Sequence, residues 1–409
     1  MRLLFVCPNT PNLIRTRPYN LLRALAARGH DLTLATVWER EAERPALDSL
    51  ASMGIRVLAA PLRRGRVAQN LLGSVARGQP LQARFAWQPA LAGKILAEAA
   101  RMPFDVAHVE HLRGAVYGLA LRRAQAGQAR ATPVLWDSVD CISLLFSQAA
   151  QTSRSLFGRW VSRLELPRTR RYEGYVATQF DAVVATAAGD LAALQALAAQ
   201  YGGGKPMPPS AVLPNGVDLA YFQPNYGPRW PSTIVLTGKM SYHANVTAAL
   251  HLVHDIMPLV WAEIPECQVL IIGSAPPRAV RALAEAPAGR VSVTGFVPDL
   301  RPYLQQATVA VAPIAYGAGI QNKVLEALAS AAPTIASPQA VSALSVRPDA
   351  ELLVAGSPAA FAQAIIRLLR EPALRQRLGA AGYQYAVQHH HWPAIAGQLE
   401  ARYDLLRSA

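Results

Sequence analysis

The sequence predicts an α/β protein of two doubly wound domains, each a parallel sheet covered by helices. Three observations predict it. Short apolar runs alternate with longer helical patterns. The alternation breaks once, at Tyr201-Gly202-Gly203-Gly204-Lys205-Pro206-Met207-Pro208-Pro209, and then restarts. Strands alternating with amphipathic helices build a parallel sheet, and glycines beside prolines read as a linker. A chain of 409 residues also exceeds one ordinary core, so two domains of about 200 residues are expected.

Taken in order, Leu3-Leu4-Phe5-Val6 is a buried strand, and the helix from Tyr19 to Arg28 ends at Gly29. Further strands are Asp31 to Thr36, Ile55 to Ala59, Val106 to Val109, Pro133 to Trp136 and Ala182 to Ala185. After the linker come Thr233 to Thr237, Gln268 to Ile272, Arg290 to Thr294, Thr308 to Ala312 and Thr334 to Ala336. The expected boundaries are 1–210 and 211–389. The remainder, 390–409, carries an amphipathic helix from Trp392 to Leu406 that is expected to cross back onto the first domain. The two Rossmann-like domains should face each other across a cleft, with ligands outside the carboxyl ends of the strands.

Composition narrows the function. The chain is 52% hydrophobic and 16% charged, which fits a globular protein. No run approaches the roughly 18 apolar residues of a membrane span, and the N-terminus reads as a first strand without a leader cleavage site. Cys7, Cys141 and Cys267 form no metal or redox spacing and suit a reducing cytoplasm. The net charge of +14 is carried almost wholly by arginine, since only Lys94, Lys205, Lys239 and Lys323 are lysines. Such a surplus suits phosphorylated ligands, an anionic membrane face, or simply a solvated arginine surface. Nucleic acid is not expected, because the basic residues are not clustered with aromatics or in a binding module.

Three strand ends in the second half carry chemistry. Gly238-Lys239 presents a lysine on a glycine turn, and Thr294-Gly295-Phe296-Val297-Pro298-Asp299 ends another strand. The third is Tyr316-Gly317-Ala318-Gly319, which opens a helix from about Gln321 to Ala331. Lys323 stands in the first turn of that helix, where a cation is locally unfavourable unless an anion sits in front of it. Two lysines, glycines and a helix N-terminus make a diphosphate cradle. Phe296 and Val297 offer a face for a planar base. Glu326, one turn after Lys323, can accept two hydrogen bonds from vicinal hydroxyls such as those of ribose. The plainer alternative is a Lys323–Glu326 surface pair, worth a few tenths of a kcal/mol. Neither half has a GxGxxG after its first strand, which weakens a nicotinamide reading.

The run Val212-Leu213-Pro214-Asn215-Gly216-Val217-Asp218, with Gly238-Lys239, Gly295 to Asp299, Gly319 to Glu326 and Pro333, resembles glycosyltransferase family 4. The resemblance covers nearly the whole chain. It implies a GT-B fold, a nucleoside diphosphate sugar held mainly by the C-terminal domain, and retention of anomeric configuration with no metal or other cofactor. It also implies donor binding by Gly238, Lys239, Phe296, Val297, Gly319, Ile320, Gln321, Lys323 and Glu326. The family usually shows two glutamates seven residues apart. Glu326 matches the second, but Ala318 stands at the first. The family's arginine beside the glycine is Lys239, and its second basic residue is replaced within Tyr242-His243-Ala244-Asn245. The form Gly-Ile-Gln-Asn-Lys-Val-Leu-Glu resembles a subgroup linked to exopolysaccharide assembly, in which Lys323 would take over phosphate binding.

The first half is expected to bind the acceptor. Asp105-Val106-Ala107-His108-Val109-Glu110-His111 resembles the family's strand-end histidine segment, which implies that His111 acts near the donor sugar. His108 reads as a hydrogen-bonded core histidine, and no further ligand is spaced to make a metal site with Glu110 and His111. Glu110, and Asp137 and Asp140 after the next strand, are the acceptor-side candidates. Arg154 to Glu173 is arginine-rich, with Phe157, Trp160 and Leu164 on one helical face, and suits either an anionic membrane or the domain's own surface. The reading is a cytoplasmic glycosyltransferase, peripheral on the inner face of the membrane. His111, Lys239 and Lys323 are its catalytic groups, and its acceptor is a glycan, lipid-linked or small molecule. The alternatives are a sugar-nucleotide epimerase or hydrolase of the same fold, and a non-catalytic sugar-nucleotide-binding protein.

Overall fold

The structure is a computed structural model. It describes residues 1–13, 15–128, 130–152, 156–225, 227–285, 289–316 and 320–408, without the side chains of 152, 156 and 157. The chain divides into two compact units, Met1–Ser147 with Val161–Pro214 and Trp392–Ala409, and Gln148–Trp160 with Asn215–His391.

The first unit holds β1 (Arg2–Cys7), β2 (Asp31–Trp38), β3 (Arg56–Pro61), β4 (Val106–Glu110), β5 (Val134–Val139), β6 (Ala182–Ala185) and β7 (Ser210–Val212). They form one sheet in the order β3-β2-β1-β4-β5-β6-β7, and neighbouring strands among the described residues pair in parallel. The runs are predominantly apolar because both faces are covered, as in parallel sheets generally. Leu4, Val6, Val109 and Trp136 enter one cluster, and Leu3, Phe5 and Val106 the other.

β7 straddles the expected boundary between 210 and 211. Val183 to Ala185 pair with Ser210 to Val212, which carries the first unit on to Pro214. The helix Trp392–Ser408 belongs to this unit. Its buried residues Trp392, Ile395, Ala396, Leu399 and Tyr403 recur at three- and four-residue spacing, so they form one stripe. That stripe packs beside Leu21, Leu22 and Leu25 of the helix Thr16–Ala27, and an Arg28–Glu400 ion pair borders it.

The second unit holds β8 (Thr233–Thr237), β9 (Gln268–Ile272), β10 (Val291–Gly295), β11 (Val309–Ala312), β12 (Thr334–Ala336) and β13 (Leu353–Val354). Their order is β10-β9-β8-β11-β12-β13, again parallel throughout. In sequence terms this is 3-2-1-4-5-6, the dinucleotide-fold order, and its direction reverses between β8 and β11. Loops leaving those two strands open the crevice where such sheets bind ligands.

Candidate functional site

At that reversal the chain places Gly238-Lys239 after β8 and residues 313–321 after β11. Gly238 has φ +150°, its amide donates to Ile272 O at 3.0 Å, and the Gly273 amide donates to Gly295 O at 3.1 Å. A Cβ on Gly273 would stand 1.6 Å from Gly238 O, so the backbones after β8 and β9 touch where only glycine fits.

Tyr316 is buried in the loop after β11. Its ring stacks on His243, and its hydroxyl lies 2.8 Å from His243 Nδ1. Gly317, Ala318 and Gly319 lie outside the described residues. The chain resumes at the buried Ile320 and half-buried Gln321, which precedes the helix Asn322–Ala329. That helix is eight residues long and starts one residue later than expected. Val324, Leu325 and Leu328 face its apolar cluster, leaving Lys323 and Glu326 on the open side.

The first turn of that helix holds no acid, and Glu326 follows Lys323 three residues on. Its ammonium donates to Asn245 Oδ1, on the helix His243–His251. Burial pulls the Lys323 pKa down to about 8, opposed by the charge of Glu326. Burial pushes Glu326 up to about 7, opposed by Lys323. Both side chains keep some solvent exposure but are hemmed in by protein. The lysine is therefore bonded across elements to a neutral amide, which a solvated Lys–Glu pair would not be. A buried ammonium with a neutral partner is a group suited to an anion.

Lys239 is exposed, and Phe296, just past β10, keeps 70% of its surface in solvent. Val297 packs against the apolar cluster. Asp299 lies two residues before the helix Arg301–Gln306: it accepts from the Arg301 amide at 2.9 Å, takes the Arg301 fork and accepts from Tyr221 Oη at 3.1 Å, and the Arg301 bonds hold its pKa down to about 2.

In the first unit, β4 ends at Glu110, and His111 follows with φ +64°, a left-handed conformation that costs a non-glycine residue roughly 1–2 kcal/mol. Trp136 Nε1 donates to His111 O at 3.4 Å, and the Arg113 amide donates to His111 Nδ1 at 3.2 Å. Burial, then the charge of Arg113, pulls the imidazole down to about 3. The ring is neutral at physiological pH, with its proton on Nε2. His108 is interior: it stacks on Phe5, lies 2.8 Å from Tyr403 Oη through Nδ1 and 3.4 Å from Asp137 through Nε2.

Two acceptor-side expectations, Asp137 and Glu110, need correction. Asp137 is fully buried: Arg17 Nε and Nη2 reach its Oδ2 at 2.9 and 2.7 Å. β5 runs on to Val139, past the expected end at Trp136, and bulges between Asp137 and Val139, which keeps Asp137 inside. Glu110 is also buried beside Cys7. Burial, then the charge of Asp137, raises it to about 8, so it is protonated at neutral pH. Asp140 is half-buried, accepts from Thr186 Oγ1 at 3.4 Å, and is pushed up to about 7 by burial and Asp190. Sequence reasoning missed Arg17, Asn245 and Gly273 as site-building residues. Only Gly273, a glycine directly after a strand, left a readable signal.

Of the arginine-rich segment, Arg154 and the Phe157 side chain lie outside the described residues. On the helix Leu156–Val176, Trp160 and Leu164 are 61% and 49% exposed among exposed Arg163, Arg170 and Arg171. Both its acids are buried: Glu165 accepts from the Leu81 amide and Glu173 from those of Ile142 and Ser143. No described helix is long and apolar enough to cross a membrane.

Residues 14–216 match the family model for the glycosyl transferase 4-like domain, and residues 231–371 match that for glycosyl transferases group 1. The chain belongs to glycosyltransferase family 4. This glycosyltransferase is 28% identical over 206 residues to the phosphatidyl-myo-inositol mannosyltransferase of Mycobacterium leprae, covering 48% of this chain and 54% of that protein. It is 29% identical over 205 residues to the Mycobacterium tuberculosis enzyme of the same description, covering 47% and 53%. The chain thus spans about half the length of the curated relatives it matches.

Among solved structures, sucrose-phosphate synthase of Thermosynechococcus elongatus superposes with TM-score 0.72 at 20% identity, covering 100% of this chain and 99% of that one. HepE of Anabaena, in complex with UDP, gives 0.70 at 13% identity, covering 99% and 100%. At such identities the likeness is one of fold, and the fold is GT-B.

Proposed function

We propose that this chain is a retaining, metal-independent hexosyltransferase. It moves a sugar from a nucleoside diphosphate sugar to a hydroxyl of a lipid-linked glycan acceptor. The setting is the inner face of the cytoplasmic membrane, in the synthesis of exopolysaccharide or another cell-surface glycan. The observation that carries the reading is the convergence, where the second sheet reverses, of the Gly238 turn, a helix N-terminus and the Lys323 ammonium.

In this reading Lys323, Lys239 and the helix N-terminus stabilise the charge that develops on the leaving diphosphate. Glu326 holds the ribose, and the open face of Phe296 carries the base. Gly319, Ile320 and Gln321 belong to the donor-binding set in this reading. Neutral His111 offers its Nε2–H to the reacting sugar. Retention is supported by the engagement of Glu110 and Asp137 in the interior, where neither is open to act as a base on an acceptor. The membrane setting is supported by the exposed Trp160, Leu164 and arginines of one helix, a combination that suits an anionic lipid surface. HepE was solved with UDP, so uridine donors are the first to test.

The test is to incubate the protein with UDP- and GDP-sugars, with and without lipid-linked acceptors, and to measure nucleoside diphosphate release in the presence and absence of EDTA. The expected result is release that needs an acceptor, ignores EDTA and yields a product of the donor's anomeric configuration. Donor turnover without any acceptor identifies an epimerase or hydrolase instead. Binding with no turnover identifies a non-catalytic protein.

Two residues sharpen the reading. His111→Ala should lower kcat about tenfold, one hydrogen bond's worth of about 1.4 kcal/mol, and leave UDP affinity unchanged. An unaltered kcat removes His111 from the reaction. Glu326→Gln should weaken donor binding by about 1 to 3 kcal/mol. It should also lose most of the wild type's discrimination against a 2′- or 3′-deoxyribose donor. Equal discrimination by both proteins takes Glu326 off the ribose.

A further inference from the structure

We propose that Asn245 is a positioning residue of the donor diphosphate site, a two-ended clamp that seats the Lys323 ammonium against the Gly238-Lys239 turn. The proposal rests on the donor reading above. Asn245 lies in the first turn of the helix His243–His251 and is almost wholly buried. Its Nδ2 donates to Lys239 O at 2.9 Å, closing the loop that joins β8 to that helix, and its Oδ1 accepts from Lys323 Nζ. Chemistry fixes the orientation of the amide. A backbone carbonyl requires the NH2 end, and an ammonium requires the oxygen, so the flipped amide would lose both bonds.

Glycine makes room for this arrangement. A Cβ on Gly238 would fall 2.8 Å from Asn245 Nδ2 and 3.2 Å from Lys323 Nζ. The turn, the amide and the ammonium therefore meet in a space that a single methyl group would fill. The turn itself cannot retreat, because Gly238 O is already pressed against Gly273.

The choice of a neutral amide has a consequence. A carboxylate at position 245 would pair with Lys323 and cancel its charge toward a ligand. An aliphatic residue would leave the ammonium a free choice of rotamer. Asn245 orients the cation and leaves its charge unspent. The positive charge of the site is thus supplied from the helix after β11 but held in place from the helix after β8.

The experiment measures binding of UDP and GDP, each against its nucleoside, by calorimetry. It uses the wild type, Asn245→Leu, Lys323→Ala and the double variant Asn245→Leu/Lys323→Ala, with melting temperatures recorded for each. Asn245→Leu is expected to lose about tenfold in diphosphate affinity, the worth of one charge-assisted hydrogen bond, with nucleoside affinity within about twofold of wild type. Lys323→Ala should be weaker still, and the double should be no weaker than Lys323→Ala, because a residue that acts through the ammonium has nothing to position once it is gone. A double variant in which the two losses add, or an Asn245→Leu that keeps the full preference for diphosphate, overturns the clamp. A wild type that prefers neither diphosphate over its nucleoside overturns the donor reading, and the clamp with it.

Discussion

Asp137→Ala is expected to cost about 3–5 kcal/mol of folding stability, the largest effect of any single change considered for this chain. Asp137 is completely buried and its carboxylate accepts one hydrogen bond from Arg17 Nε and lies at ion-pair distance from Nη2, the arginine itself being only 4% exposed. Removing the carboxylate strands a guanidinium in the interior of the first unit. The penalty is that of an uncompensated buried charge, so Arg17→Met/Asp137→Leu should recover most of it. Equilibrium unfolding of the three proteins measures both claims. A loss below about 1 kcal/mol for Asp137→Ala shows that the pair is not the interior strut that its burial implies.

The pair also has a pH signature. Burial alone would raise the Asp137 carboxyl, but Arg17 and His108 outweigh it and hold the carboxyl below its ordinary value. A group depressed in the folded state stabilises fully above its unfolded pKa, and that stability is lost as pH falls through the folded one. The wild type should therefore lose stability below about pH 4 more steeply than the double variant, which lacks the carboxylate.

These buried groups mark the limit of what was legible in the sequence. The strands were legible because a parallel sheet covered on both faces is predominantly apolar, so runs such as Leu3 to Val6 and Thr233 to Thr237 can be read without an alternation. The C-terminal stripe was legible for the same kind of reason, since Trp392, Ile395, Leu399 and Tyr403 keep a helical period. Lys323 stood out because a cation in a first helical turn conflicts with the helix dipole, and a local conflict can be seen locally. Asp137 was misread because its partner Arg17 is 120 residues away and no periodicity links them. Sequence placed the end of its strand at the last apolar residue, whereas β5 continues through Asp137 into a bulge. Asn245 was read only as a missing basic residue. Its role is visible once the helix after β8 and the helix after β11 are brought to the same point.

Lys323→Ala is expected to weaken binding of a nucleoside diphosphate by about 1.5–3 kcal/mol, the usual worth of a hydrogen bond to a charged group. The loss should grow at low ionic strength, and the nucleoside should bind as before. Two features of the site place the value toward the upper end. The ammonium is partly desolvated, so little water has to be stripped from it when the diphosphate arrives. It is also held by Asn245 rather than neutralised by Glu326, so its charge is available.

The same desolvation sets a pH window. Lys323 is pulled from its ordinary 10.5 down to about 8. Below about 8 the ammonium is present and binds the anion; as pH rises through that value the proton leaves and the attraction goes with it. Diphosphate affinity of the wild type should thus fall between about pH 7 and 9 at constant ionic strength, a range in which an ordinary lysine would stay charged. Lys323→Ala should lose the fall centred near 8, because the group that titrates there is gone, and keep only what Glu326 contributes near 7. Lys323→Arg, which cannot lose its proton in this range, should also lack the fall near 8, but at an affinity above that of the alanine variant. A fall near 8 that persists unchanged in the alanine variant assigns the titration to another group and removes Lys323 from the diphosphate.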